Sequence, residues 1–296
     1  MIFFCIFAQK NKKTIKMKKI IVLFTLFSLF NIQAQEQKKV EKNWNKSGDI
    51  SLMFNQASFN NWIKGGENSL ALNGIINYNF NYKKDKNVWD TKLILAYGLS
   101  HINNITKKTD DRFNINSTYG KQASKEWYYS FFVDFKTQMT DGYDYTVTPK
   151  SLISKLFAPA YLSAGPGMLW KKNDNLKINF SPITSKITFV MDDDLSNVGA
   201  FGVEPGEKLR YELGMAINAY YKFNLMKNIS VENILGLYSN YLDKPQNVDV
   251  DYQLNMVMTV NKYISANFGI HLLYDDNALQ DIQLKEVFGL GLNAKF

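Results

Sequence analysis

The chain of 296 residues is poor in the elements that most directly announce a chemistry. It has one cysteine, Cys5, two histidines, His101 and His271, and six prolines. One cysteine excludes disulfides within the chain and any cysteine-built metal centre. There is no apolar run of about 20 residues, the length a membrane-crossing helix needs. The mean hydropathy of −0.25 is likewise too polar for a bundle of such helices. No apolar period of 3.6 residues persists, which argues against a helical domain.

The one continuous apolar stretch is IIVLFTLFSLF, residues 20–30. Lys16, Lys18 and Lys19 precede it and NIQAQEQ follows. A positive segment, a short apolar segment and a small residue before a cut form an export signal. We therefore expect residues 1–16 to be an upstream extension, 17–34 a signal peptide cut after Ala34 and handled by the Sec pathway, and 35–46 a short periplasmic tail. Removal of residues 1–34 takes away six lysines and no acid, so the formal net charge falls from +8 to +2. The pI of about 9.2 thus belongs mostly to the signal, and a nucleic-acid partner drops out. Cys5 leaves with the same segment.

What the chain has in abundance is alternation and aromatics. There are 17 tyrosines and 21 phenylalanines. In LALNGIINYNFNY, residues 70–82, Leu70, Leu72, Ile76, Tyr78, Phe80 and Tyr82 share one face. Asn73, Asn77, Asn79 and Asn81 share the other. That period of two is a strand with one apolar and one polar face. The same pattern runs through 209–223, 248–258 and 264–272. About twelve strands follow, near 47–57, 68–82, 88–100, 111–121, 126–139, 157–171, 174–190, 207–224, 228–242, 247–261, 263–275 and 285–296. Many exceed the five or six residues usual in soluble sheets and match the roughly 9–11 needed to cross a bilayer at a tilt.

Short connections alternate with longer ones, as in an outer-membrane barrel. KKDKN, KQASKE, KKNDN, NLMKN and VNKY are short. SFNNWIKGGEN, HINNITKKTDD, residues 140–155, MDDDLSNVGAFGVEPGEK and NALQDIQLKE are longer, with DKPQN a brief exception. Tyr82, Trp89, Trp127, Trp170, Tyr221, Phe223 and Tyr263 cluster at the short-turn ends, where a headgroup girdle would lie. The fold class we expect is an all-β, single antiparallel up-and-down transmembrane barrel over 47–296, in the outer membrane, with both termini periplasmic. Pro166 and Pro182 would each remove a ladder donor, so a bulge or wall defect is expected there. The segment ISVENILGLYSNY alternates too poorly to assign its outer face.

FNQASFNNWIKGGENSLALNG, residues 54–74, resembles the opening of the family called domain of unknown function 3078. SPITSKITFV, LSNVGAFGVEPGEK, NYLDKPQNVDVDY and KEVFGLGLNAKF extend the resemblance over most of the exported chain. It implies an exported envelope protein of Bacteroidota-type bacteria with a barrel-like body, and carries no catalytic residue.

Candidate sites are few. Gly65-Gly66 lacks the Lys-Ser/Thr and the following helix of a phosphate-binding loop. It reads as a turn, with Ser58 capping one helical turn and Trp62, Asn60, Asn61 and Asn68 placed to fold over the lumen as a partial plug. Asp192, Asp193 and Asp194 could hold a calcium ion but lack the spacing of an EF-hand, and a solvated acidic loop is the plainer reading. A lipid hydrolase would need a serine beside His101 or His271. Ser100 points away from His101, and Ser265 shares the His271 face without a G-x-S-x-G motif. The lumen face carries Asp90, Lys92, Arg112, Asp134, Lys136, Arg210, Glu212, Lys222, Glu232, Asp249, Asp251 and Lys295. Crossing ion pairs could close the bore, or unpaired rows could line a narrow channel.

Phe296 ends an amphipathic strand, which resembles the signal read by the barrel assembly machinery. Expected partners are therefore that machinery, outer-membrane lipids and a small polar solute; no cofactor is expected. The function expected is solute passage or binding, or a structural envelope role. The alternatives are the hydrolase and a soluble periplasmic β-sandwich or lipid-binding protein.

Overall fold

A computed structural model of the protein describes residues 43–58, 68–102 and 105–296. The extension, signal peptide and most of the tail lie outside the described residues, as do Trp62, Gly65 and Gly66.

Twelve strands close into one antiparallel barrel. They are β1 (Trp44–Ala57), β2 (Ser69–Lys84), β3 (Asn87–Ile102), β4 (Ile105–Gln122), β5 (Trp127–Thr137), β8 (Ala160–Asn173), β9 (Leu176–Phe189), β10 (Leu209–Met226), β11 (Ile229–Asn240), β12 (Val248–Thr259), β13 (Ile264–Asp275) and β14 (Leu279–Lys295). The long connection after β5 holds a small hairpin of β6 (Gly142–Asp144) and β7 (Ser151–Ser154). The connection after β9 holds one short helix, α1 (Asp193–Asn197), and a 3-10 turn, Ala200–Gly202.

Three strands begin earlier than the sequence expectation by three residues or more. β1 begins at Trp44, inside the expected tail. β4 begins at Ile105 and β14 at Leu279, inside expected long loops. Ile102 pairs with Ile105, and Asp275 pairs with Leu279. Backbone pairing continues after the apolar alternation stops, because a paired hairpin above a membrane needs no apolar face.

The outer wall is apolar. Leu52, Leu70, Leu72, Phe131, Ile183, Leu290 and Leu292 are exposed there, Leu290 at 51%. A contiguous apolar belt around a closed barrel is a surface for lipid, and one a water-soluble barrel would have to cover. At the short-turn end Trp44, Trp89, Tyr119, Trp127, Tyr221 and Tyr263 are also exposed. Trp44 lies 5.0 Å from the Tyr82 ring and 5.9 Å from Trp89, while Tyr221 stacks on Phe223 at 5.0 Å. Their polar atoms are used: Trp89 Nε1 donates to Ser117, Tyr119 Oη to Asn87 and Trp170 Nε1 to Glu126. Rings with an apolar body and a bonded polar tip are suited to a membrane interface.

The irregular segment in β11 also resolves. Glu232, Ile234, Gly236 and Tyr238 face the lumen. Asn233 lies on the outer face, where the Tyr252 hydroxyl donates to its Oδ1 and its Nδ2 donates to the Tyr221 carbonyl. A polar residue is tolerated there because both ends of the amide are satisfied.

The defect expected at Pro166 and Pro182 is a bulge in β9. Against β8, register jumps from Ala164↔Ser185 to Met168↔Phe180; against β10, from Gly214↔Thr184 to Ala216↔Ser181. Relative to both neighbours β9 carries one extra residue. Pro182 and Ile183 both turn outward, and Ser181 and Thr184 both point inward, each fully buried. The inward set therefore changes from odd to even numbers along β9. Gly165 lets β8 approach at this point, since a Cβ there would collide with the Ile183 carbonyl. Gly165→Ala should cost about 1–3 kcal/mol by forcing the strands apart. Urea unfolding in detergent measures this, and an unaltered midpoint would contradict the close approach.

β1 and β14 close the ring over Asp49–Phe54 alone, extended by a reciprocal pair. Gly48 N–H donates to the Phe296 carbonyl at 2.9 Å, and Phe296 N–H returns to the Gly48 carbonyl at 3.0 Å. The Phe296 ring packs on Tyr78 at 5.4 Å. On the lumen side Asn293 links Ser51 to Ser265. Deleting Phe296 removes both terminal bonds and the ring contact, so the yield of heat-modifiable barrel should fall. An unchanged yield would show that the seam closes without it.

Candidate functional site: a lumen crossed by ion pairs

The inward side chains meet in the middle of the barrel. Lys92 on β3 lies 2.6 Å from Glu232 on β11, a strand six places away in the ring of twelve. Glu232 also accepts from the Tyr220 hydroxyl at 2.8 Å. Arg112 on β4 reaches Gln253 on β12, again six places away, at 3.1 Å. Its guanidinium pairs with Asp110 at 3.0 Å, and Lys285 of β14 reaches the same carboxylate at 2.7 Å. Lys136 on β5 is shared by Asp134 at 3.2 Å and Asp251 of β12 at 2.7 Å. His271 Nε2 lies 2.9 Å from the other Asp251 oxygen.

These pairs cross the bore. The turn-side chamber has a volume of about 310 Å³ and the loop-side chamber about 500 Å³. Asp134, Lys136, Asn114, Asn218 and Asp251 belong to the walls of both, so the Lys136 pairs sit where the chambers meet. On the turn side Asp90 holds Lys171 at 2.8 Å and Lys177 at 3.1 Å. On the loop side Lys186 meets Asp249 at 2.6 Å, Asp275 at 3.4 Å and Glu212 at 3.5 Å, and Arg210 meets Glu212 at 2.8 Å. Tyr161, Phe132, Tyr238 and Tyr274 line this chamber with Phe201 and Ile153 from the loops above.

Those loops form a lid with its own small core, in which Ala158, Val190, Leu195 and Val203 are buried against Leu152, Ala200 and Phe201. Asp111 fastens one edge. It accepts from Met139 N–H at 2.8 Å, Thr140 N–H at 2.9 Å and Lys108 at 2.9 Å. Gly199 at φ 68 and Gly202 at φ 75 take left-handed turns in the other edge, and Phe201 shares that conformation at φ 58. A Cβ on Gly202 would press on the Arg210 guanidinium at 2.8 Å, so this glycine seats the loop on the chamber rim.

Of the expected site residues, Arg210 and Glu212 come together at the outer chamber and His271 lies against Asp251, where the chambers meet. Asn68 immediately precedes β2 on the loop side. The acidic run is tied into the lid. Asp192 caps α1, accepting from Asp194 and Leu195 N–H, and pairs with Lys155 at 3.1 Å. Asp193 pairs with Lys208 at 2.7 Å. Burial raises the Asp192 carboxyl, but the Leu195 and Asp194 amides with Lys155 outweigh it, holding it below its ordinary value. The serine–histidine arrangements do not form. Ser265 donates to Asn267, His271 is bonded to Asp251, and His101 Nδ1 is bonded to Thr106.

Lys186, Asp275, Asp110, Lys285, Lys171 and Lys177 were not anticipated. Lys186 faces inward only because of the β9 bulge. Lys171 and Lys177 flank a short turn and read as solvated lysines.

The sequence comparison bears on the first hairpins of this barrel. Residues 54–143 match the family described as protein of unknown function (DUF3078). The chain resembles that family over the end of β1, all of β2–β5 and the first residues of the lid. The later stretches that share the resemblance by eye lie beyond the matched residues. No curated protein matches the chain. Among solved structures, the translocator domain of autotransporter NalP from Neisseria meningitidis is 8% identical, with 95% of this chain and 96% of that one covered and a TM-score of 0.32. An outer membrane channel from Pseudomonas putida F1 is 8% identical, with 88% and 99% covered and a TM-score of 0.36. The β domain of the Bordetella autotransporter BrkA is 9% identical, with 85% and 99% covered and a TM-score of 0.29. Scores this low carry nothing about function, and the membrane reading rests on the barrel's own surface.

Breaking one lumen pair should cost more than removing both partners, because the survivor is left charged and dry. Lys92→Met should destabilise by about 3–5 kcal/mol, and Lys92→Met with Glu232→Gln by less. Chemical unfolding of the three proteins in one detergent gives the order, and a double variant no better than the single would deny the pairing.

Proposed function

We propose that this chain is an outer-membrane barrel whose lumen binds a small polar solute from the loop side, and that at rest it is not an open pore. The apolar wall and aromatic girdle support the membrane reading. In that orientation the short turns and both strand ends face the periplasm, and the lid faces outward. The signal-like segment and the amphipathic strand β14 support export through the Sec pathway and insertion by the barrel assembly machinery.

The observation that carries the binding reading is Lys136. It lies where the two chambers meet, held by carboxylates from β5 and β12, and we read it as the barrier between them. The outer chamber falls in the size range of about 300–1,000 Å³ usual for ligand pockets and combines rings with convergent charges. An open channel would line its bore with hydrated charge instead of crossing it. We assign no catalytic residue.

Planar-bilayer recording tests this. The wild-type barrel should show little steady conductance. Replacing Arg112, Lys136 and Asp251 together by alanine should raise it severalfold by removing that barrier. A large ohmic conductance in the wild type would overturn the closed resting state.

A further inference from the structure

We infer that the solute is a small organic cation, an ammonium group on an apolar body, held at the loop-side end of the outer chamber. This rests on the binding reading above and gives it a ligand class.

Charge is out of balance there. Glu212, Asp249, Asp275 and Asp276 gather around two cations, Lys186 and Arg210. Oxygens of Asp249, Asp275 and Asp276 lie within 4.8 Å of one another. Lys186 reaches Asp249 and Asp275, while the hydrogen bond to Asp276 comes from neutral Asn247 Nδ2 at 2.6 Å. Two negative charges remain uncompensated among the six groups, in a cleft where screening by water is weak. A cleft of one sign concentrates ions of the other.

A second observation points to a ligand rather than a solvated acidic rim. Tyr238 is only 8% exposed, lines this chamber, and lies beside Glu212 and Asp249. Its hydroxyl oxygen, able to accept from an ammonium N–H, is without a hydrogen-bond partner among the described residues. Buried polar atoms are rarely left unpaired unless something else satisfies them. The Tyr238 ring already receives one ammonium, Lys186 Nζ at 4.9 Å. Phe132, Tyr161, Tyr274 and Phe201 complete a wall of rings around the acids. Carboxylates at one end and π faces along the sides are the features that hold an ammonium and its apolar body.

A bare divalent ion fits less well. It would compete with Lys186 for Asp249 and Asp275, and it would leave the ring-lined volume of about 500 Å³ unused. An anion would meet the surplus carboxylates, and a neutral solute would leave the charge unanswered.

The test is calorimetric titration of the full barrel in detergent with benzylammonium chloride. Benzyl alcohol, benzenesulfonate and calcium chloride serve as the neutral, anionic and divalent probes. Saturable binding of the cation alone is expected. Asp275→Asn and Asp276→Asn should weaken it at least about tenfold, the scale of one lost charge or cation–π contact. Asp193→Asn, an acid outside the chamber, should leave it unchanged. Heat-modifiable migration checks that each variant is folded, and Tyr238→Leu carries the same expected loss should an acid variant fail to fold. No binding of the cation, equal binding of benzyl alcohol, or displacement of the cation by micromolar calcium would overturn the assignment. Absent binding in a barrel of low conductance refutes the cation alone; high conductance refutes the closed lumen beneath it.

Discussion

Everything inside this barrel depends on one constraint: a charge withdrawn from water must meet an opposite charge. Twelve strands leave too little bore for each inward lysine and aspartate to keep a hydration shell. The chain meets the constraint across the lumen rather than along the wall. Lys92 and Glu232 come from opposite sides of the ring, and Lys136 joins β5 to β12. Each such pair ties strands that share no backbone hydrogen bond. The same contacts that settle the electrostatics therefore brace the cylinder and cross its bore. Buried pairs contribute little net stability against an apolar filling, but they penalise any register that separates partners.

The outer wall answers the opposite requirement. Leucine, isoleucine and phenylalanine stand where soluble barrels place charge, and polar atoms on that face are satisfied locally, as Asn233 is by Tyr252. The girdle rings mark where the environment changes, and Trp89, Tyr119 and Trp170 each keep a bonded polar tip at the short-turn end. Closure at the β1–β14 seam is brief in register, which gives Phe296 a structural task beside any sorting role.

The barrel was legible in the alternation because period two survives wherever one face meets lipid and the other meets the lumen. Strand number, order and the turn asymmetry followed from that pattern and from turn residues. Legibility failed where the pattern stops while pairing continues, at Ile105 and Leu279, because the protruding parts of a hairpin carry no lipid face. The site was legible only in part. Arg210, Glu212, Asp249, Asp251 and His271 lie on cleanly alternating strands, so their inward aspect could be read. Which of them meet could not be read, since partners such as Arg112 and Gln253 are far apart in sequence and joined only by closure of the ring. The acidic run at 192–194 reads as a solvated loop, and what the sequence does not show is that its first residue caps a short helix.

Lys186 shows how one backbone irregularity reaches the site. Were β9 regular, the odd positions that point inward at Asn179 and Ser181 would continue to Ser185 and Ile187, and Lys186 would face lipid. Its ammonium would then sit in the apolar wall, at a cost that falls from about 2–4 kcal/mol at the midplane to about 0–1 near the interface. Asp249 and Asp275 would lose the only cation within pairing distance of them among the described residues. The extra residue at Pro182–Ile183 reverses the parity and turns the lysine inward. Proline suits the position because the strand has already given up regular pairing there, so its missing N–H costs no ladder bond. Gly165 on β8 then fills the step that the bulge creates. Proline, glycine and lysine, scattered in sequence, are thus parts of one device, and the charge balance of the outer chamber is set by the irregularity in its wall.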